Sequence, residues 1–103
     1  MVNVIIYIKK EFDAEELVKN LLSEKLIASA SVDENNVSYS MNSNGFHKNT
    51  YSVITAKSKS LLLPYIIKSV EEKIDSEVLI NATPIVGSNK FFDALVRENT
   101  KPI

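Results

Sequence analysis

The 103-residue chain contains no cysteine, no tryptophan, two glycines and one histidine. Without cysteine it has no disulfide framework, no thiolate metal site and no cysteine nucleophile. With only Gly45 and Gly87 it has neither a Walker loop nor a GxGxxG turn to hold phosphates. His47 would have to serve in any Ser-His-Asp triad, and it lies near a predicted hairpin tip, where side chains are mobile. We therefore expect a protein that is not an enzyme.

An excess of charge of one sign is also absent, since twelve Lys and Arg face thirteen Asp and Glu. No overall positive field exists to hold a nucleic-acid backbone, so nucleic acid is not an expected partner. No apolar run approaches the roughly 18 residues that span a membrane. The first charges follow the N-terminal apolar run, whereas a signal peptide has them before it. We expect one globular domain, residues 1–103, in the cytoplasm and without a membrane partner.

The first third of the chain predicts a strand followed by a helix. Residues 2–9 are rich in β-branched side chains and apolar on both faces, which is typical of a central strand. Asp13 and Glu16 have the spacing of a capping box. Apolar residues then recur at helical spacing, so we expect an amphipathic helix over residues 14–26.

The middle of the chain predicts a long β-hairpin. From Ile27 to Met41 apolar and polar residues alternate, with a polar interruption that indicates a bend or bulge near Asn35. The sequence Asn-Ser-Asn-Gly at residues 42–45 is a strong turn signal, and a second strand is expected over about residues 49–57.

The last third predicts a helix, a strand and a final helix. The second helix should begin just before Pro64 and carry an apolar stripe to Ile74. A strand follows over residues 77–86, in which Pro84 indicates an edge or a bulge. Residues 87–89 should cap a short helix with a core-facing stripe formed by Phe91, Phe92, Leu95 and Val96.

The resulting order, β-α-β-β-α-β-α, is the α+β ferredoxin-like plan with an added C-terminal helix. It predicts a four-stranded antiparallel sheet with two helices on one face. The other face would be bare, and Tyr7, Tyr39 and Tyr51 with their apolar neighbours are too numerous for it to stay in water. Self-association is the expected solution.

Four polar residues have both an ordinary and a functional interpretation. His47 is most simply an exposed turn residue, but it could bind a metal or anion with help from another subunit. Glu72 and Asp75 are interpreted as part of a solvated helix face, and the alternative interpretation is a weak cation site. Lys57 is most simply a surface lysine, and the alternative is an anion contact in a cleft.

Residues 24–32, EKLIASASV, begin a resemblance to the CutA divalent-cation tolerance proteins, which have a motif like E-[KR]-L-A-A-C-x-x-[IV]. Residues 37–41, VSYSM, are similar to the family's S-x-Y-x-W strand. Residues 52–58, SVITAKS, resemble its strand ending in K-T. Residues 87–96 resemble its G-x-x-x-[YF]-x-x-W-[IL] ending. The matches are collinear and extend from about Val4 to Arg97.

This resemblance implies a non-catalytic homotrimer, related to the PII signal proteins, that functions in metal-ion tolerance. The ligand clefts between subunits would be formed by Ser29, Tyr39, Lys57 and Glu77. Copper or zinc would be the cation, with His47, Glu72 and Asp75 as the available ligands. The family's cysteine falls on Ser29, which is a poor ligand for a soft metal, and its H-P-Y-[ED] motif is missing at residues 72–77.

Three other functions are known for domains with the same strand order. A PII-type or ACT-type small-molecule sensor is the main alternative, and it would respond to a metabolite but not to metal. An acylphosphatase needs an arginine loop near the N-terminus, whereas the single arginine is Arg97. An RNA-binding sheet needs exposed central aromatics and a basic surface, which the composition does not supply.

Overall fold

An antiparallel sheet of four strands organises the structure, a computed structural model that describes residues 1–103. The spatial order of the strands is β2-β3-β1-β4, which confirms the ferredoxin-like plan. The strands are β1 (Val2–Lys9), β2 (Ser29–Asn42), β3 (Gly45–Ser58) and β4 (Leu79–Pro84). The helices are α1 (Ala14–Ser23), α2 (Leu63–Lys73) and α3 (Lys90–Asn99), and a 3-10 turn, Ser60–Leu62, precedes α2.

The hydrophobic core lies between one face of the sheet and helices α1 and α2. β1 is central, as predicted, and its even-numbered residues are buried while its odd-numbered residues to Tyr7 are half-buried. Each large aliphatic side chain buried in this layer stabilises the fold by about 1.5–3 kcal/mol. The fully buried large side chains of the cluster are Val4, Ile6, Ile8, Leu21, Ile27, Ile54, Leu62, Ile66 and Val70.

Helix α1 ends at Ser23, three residues before the predicted end. Lys25 has a φ of 58°, in the left-handed region. The Leu26 N–H donates to Leu21 O at 3.1 Å, and the Lys25 N–H donates to Leu22 O at 3.0 Å. These two bonds form a Schellman motif, which satisfies the last carbonyls of the helix and turns the chain towards β2. The apolar periodicity continues to Leu26 because that residue packs in the core after the helix has ended.

The predicted bulge in β2 is confirmed, and it changes which face Tyr39 occupies. Asp33 pairs with Val53 and Asn36 with Tyr51, so β2 has one residue more than β3 between these pairs. An extra residue exchanges the two faces of a strand beyond it. Tyr39 therefore lies on the side continuous with the helix-covered face, and its predicted place beside Tyr7 is wrong.

The β2–β3 hairpin extends beyond the other two strands as an arm, residues 36–50. β1 pairs with β3 only from Tyr51 to Ser58, so the arm is a two-stranded ribbon. The predicted turn at residues 42–45 is confirmed, with Gly45 at a φ of +105°. β3 begins there, four residues earlier than predicted, because the polar residues of an exposed ribbon lack strict alternation. The arm accounts for the elongated shape, 46 × 27 × 21 Å.

The C-terminal elements agree with the prediction in position but not in burial. Pro84 ends β4, an edge strand that is shorter than predicted. Asn89 caps α3, with its Oδ1 accepting from the Phe92 N–H at 3.0 Å. The expectation that the α3 stripe is core is wrong for three of its four residues: Phe91 is 74% exposed, Leu95 is exposed, Phe92 is half-buried and Val96 alone is buried. α1 and α2 already fill the covered face of the sheet, and the core cluster contains no residue of α3.

Candidate functional site

The sheet face opposite α1 and α2, here called the open face, carries a row of polar side chains at one end. Ser29 of β2 pairs with Lys57 of β3, Lys57 pairs with Asn3 of β1, and Asn3 pairs with Thr83 of β4. Directly paired residues of antiparallel strands lie on the same face with Cβ atoms about 4.5–5.5 Å apart. These four residues, the polar row, therefore cross the whole sheet side by side.

The open face changes from polar to apolar along the strands. The row next to the polar row contains Ser31, Thr55, Ile5 and Asn81. The following row contains Asp33, Val53, Tyr7 and Leu79, and the Tyr7 ring makes an edge contact with Tyr51 at a centroid distance of 6.0 Å. One end of the open face is thus suited to polar ligands, and the other end to apolar contacts.

Four residues were predicted to form a ligand cleft, and two of them lie next to each other within a single chain. Ser29 and Lys57 are direct partners in the polar row. Tyr39 pairs with Lys48, nine residues along β3 from Lys57, which corresponds to about 30 Å of strand. Glu77 is exposed and precedes β4 at the end where Leu79 pairs with Tyr7. A cleft that uses all four residues would require more than one chain.

The three candidate metal ligands are also dispersed. His47 is a half-buried residue within β3, so its interpretation as an exposed turn residue is wrong. Its Nε2 lies 3.0 Å from Asn42 Oδ1. Glu72 is exposed in the last turn of α2, and Asp75 is exposed just beyond that helix. No group of three His, Cys, Asp or Glu in the chain is close enough to hold a metal ion.

A polar network that the sequence did not indicate joins the end of α1 to α2. The Ser69 hydroxyl donates to a Glu24 carboxylate oxygen at 2.9 Å, and Lys73 Nζ donates to the same carboxylate at 2.8 Å. The hydrogen bond from Lys73 holds the pKa of the Glu24 carboxyl below its ordinary value, against desolvation, which acts to raise it. Ser69 and Lys73 are one helical turn apart, but nothing in the sequence shows that Glu24 meets them. The network stabilises the contact between the two helices.

The arm carries an exposed apolar surface, here called the arm patch, formed by Val37, Tyr39, Met41 and Phe46. Tyr39, Met41 and Phe46 are 61%, 73% and 65% exposed. The Tyr39 and Phe46 rings stack at a centroid distance of 5.8 Å. Such a contiguous patch marks an interaction surface in a folded protein.

Neither the surface depressions nor the helices suggest another site. The widest depression, about 560 Å³, is lined by six residues of α2 alone and has no second wall. None of the three helices has the length and apolar character required to cross a bilayer.

Comparison with known proteins gives a fold but no match in sequence. No family model matches the chain, and no curated protein does. Among solved structures, the divalent cation tolerance protein of Thermus thermophilus is 21% identical, with a TM-score of 0.87 over 98% of this chain and 100% of that one. CutA1 of Pyrococcus horikoshii is 20% identical, with a TM-score of 0.85 over 99% and 100%.

A third solved structure, the periplasmic divalent cation tolerance protein CutA of Archaeoglobus fulgidus, is 22% identical, with a TM-score of 0.86 over 98% of this chain and 100% of that chain. In all three cases the superposition covers nearly all of this chain and the whole of the other one. The resemblance seen in the sequence is confirmed at the level of the fold, and the chain has the fold of the CutA divalent cation tolerance proteins.

Proposed function

We propose that this protein is a non-catalytic, CutA-like homotrimer of the cytoplasm that functions in divalent-cation tolerance. The observation that carries the proposal is the agreement of fold over 97–99% of the chain with proteins that bear this name. At identities near 20% this agreement concerns architecture. Measurements of assembly and of metal binding test the role.

Two uncovered apolar surfaces support the assembly. The apolar end of the open face and the arm patch lie on opposite sides of the β2–β3 hairpin, separated by the bulge after Asp33. Both would remain in contact with water in a monomer, which is unfavourable for surfaces of this kind. A trimer in which sheets and arms pack between subunits would bury both.

The proposed cation is copper or zinc, held between subunits. His47, Glu72 and Asp75 supply imidazole and carboxylate ligands, which suit Zn²⁺ and Cu²⁺, whereas the thiolate that favours Cu⁺ is lacking. Because one chain does not bring three such ligands together, the proposed site depends on the assembly. Metal should therefore bind to the trimer and not to a dissociated chain.

The first experiment is the solution mass by light scattering after size exclusion. A particle of about three times 11.5 kDa is expected, and a monomer at micromolar concentration would refute the assembly. Titration with copper and with zinc should then raise the melting temperature of the same particle. His47→Ala should reduce this response, and the absence of a shift with either ion would remove the proposed metal site.

A small-molecule-sensing role of the PII or ACT type is the second candidate, and the polar row favours it. A lysine flanked by hydroxyl and amide side chains suits an anion better than a cation. A melting temperature that rises with an anionic metabolite and is indifferent to copper and zinc would support this second function over the first.

A further inference from the structure

The turn at the tip of the arm contains the one asparagine of the chain that is followed by glycine, Asn44. An asparagine side chain can react with its own main chain when the backbone nitrogen of the next residue attacks the side-chain carbonyl carbon, Cγ. A side chain on that next residue obstructs the attack, and glycine has none. Asparagine is a thermolabile residue. The sequence thus singles out Asn44 from the other asparagines.

The surroundings of this pair are open. Asn44 is exposed, and its side-chain amide makes no hydrogen bond within the chain. Its backbone N–H donates to Asn42 Oδ1 at 2.8 Å, which leaves the Asn44 side chain free to turn towards the next nitrogen. Gly45 has a φ of +105°, and apart from its chain neighbours no atom lies within 4 Å of the position that a Cβ would take. Water therefore reaches the pair.

Asn42, in the same turn, provides the contrast. Its Oδ1 accepts from the Asn44 N–H and lies 3.0 Å from His47 Nε2, so its side chain is held in place. It is followed by serine, whose Cβ obstructs the attack. Asn89 is held as well, because its Oδ1 caps α3. Asn44 alone combines a free side chain with a following glycine.

The tip can open without unfolding the domain. β1 pairs with β3 only from Tyr51 to Ser58, so the arm is held by the β2–β3 ladder alone. No residue of the core cluster lies in the arm. Two-stranded ribbons are marginally stable by themselves, and such segments open locally at less cost than global unfolding. Gly45 can therefore reach the geometry of the attack while the rest of the protein stays folded.

We propose that Asn44 is a site of spontaneous deamidation in the folded protein. The Gly45 nitrogen forms a bond to Asn44 Cγ, and the bond between Cγ and Nδ2 breaks. The proton of the Gly45 N–H leaves with Nδ2 as ammonia, and a succinimide ring remains. Water then opens the ring at one of its two carbonyl carbons, which gives aspartate or isoaspartate at residue 44. No atom is oxidised or reduced.

The product changes the arm in two ways. The amide becomes a carboxylate, which adds one negative charge to the net charge of −1. In the isoaspartate form the main chain gains one methylene group, next to the closing pair of the hairpin, Asn42 and Gly45. Met41 and Phe46 of the arm patch form the following pair of the ladder. Deamidation therefore places a charge and a longer turn beside the exposed apolar surface of the arm.

The test follows the intact protein in mildly alkaline buffer, because the attack requires a deprotonated backbone nitrogen. Ion-exchange chromatography separates the acidic form, and mass spectrometry of its peptides locates the change. Residue 44 should react first. Asn44→Gln should abolish this acidic form, since ring closure by glutamine is much slower, whereas Asn49→Gln, the matched control on the arm, should leave it unchanged. Prior reaction at another asparagine would overturn the proposal, as would an acidic form that persists in Asn44→Gln.

A synthetic peptide of residues 40–48 sets the time scale of the reaction without the fold. The protein should react more slowly than this peptide by no more than about a hundredfold, which corresponds to a locally opened turn. A protein that stays unmodified beyond that limit would overturn the proposal.

A variant that weakens the core distinguishes local opening from global unfolding. Ile54→Val lowers the stability of the domain and does not touch the arm. The rate at Asn44 should be unchanged in this variant. If the rate instead rises by the same factor as the equilibrium constant for unfolding, the reaction takes place in the unfolded chain, and deamidation of the folded arm is refuted.

Discussion

Replacing Lys25 by glycine should stabilise the protein, because this residue adopts a left-handed conformation at the end of α1. Its φ of 58° places the Cβ close to the following carbonyl, which costs an L-residue about 1–2 kcal/mol. Glycine removes that cost. However, glycine has more conformational freedom in the unfolded chain, and this lowers the free energy of unfolding by about 0.4–1 kcal/mol. The two hydrogen bonds of the Schellman motif involve backbone atoms and are retained. The net gain should be about 0.5–1 kcal/mol.

Urea denaturation followed by circular dichroism, at equal protein concentration, measures this difference directly. The gain corresponds to a rise of about 3–6 °C in melting temperature for a domain of this size. Lys25→Ala is the matched control, since it removes the ammonium and keeps the Cβ that creates the strain. If Lys25→Gly is no more stable than Lys25→Ala, the strain at this position is not what limits stability.

Three further outcomes test the helix network, the core and the assembly. Glu24→Gln should lower the free energy of unfolding by about 1 kcal/mol at neutral pH, a modest value because Glu24 and Lys73 are partly exposed. Because the pKa of Glu24 is lowered on folding, this difference should be present above the ordinary glutamate pKa and disappear as pH falls through the lowered one. A difference that does not decline at all on acidification contradicts the assignment. Ile54→Ala, at a fully buried site, should cost about 2–5 kcal/mol in the same denaturation assay, and a cost under about 1 kcal/mol would show that the core collapses around the cavity. Val53→Asp should reduce the solution mass if the open face is shared between subunits. Tyr39→Asp should reduce it if the arm patch is shared. If the mass of either variant is unchanged, the surface that carries the substitution is not part of the interface.

Elements with strong local signals were predictable from the sequence. The apolar period of α1, the Asn-Gly turn before β3 and the Asn89 cap of α3 depend on neighbouring residues, and all three are present in the structure. The bulge in β2 was also visible, because a polar interruption breaks its alternation at Asn35. Collinear matches to a known family then predicted the fold that the comparison of structures confirmed.

Which face a residue occupies was decided by the tertiary structure. The bulge adds one residue, and this alone moves Tyr39 from the side of Tyr7 to the opposite side. Likewise, Phe91 has a core-like helical spacing, but it is exposed because α1 and α2 have already filled the covered face. The spacing of a pattern does not show how much of the sheet other elements have left uncovered.

The polar row could not be predicted from the sequence, because its four members come from four different strands. Lys57 and Ser29 were candidates by resemblance, whereas Asn3 and Thr83 had no local signal at all. Strand register is a long-range property, set by hydrogen bonds between segments as far apart as residues 3 and 83. The sequence by itself determined the elements and their order, and the pairing of those elements in space created the surface on which the proposed chemistry depends.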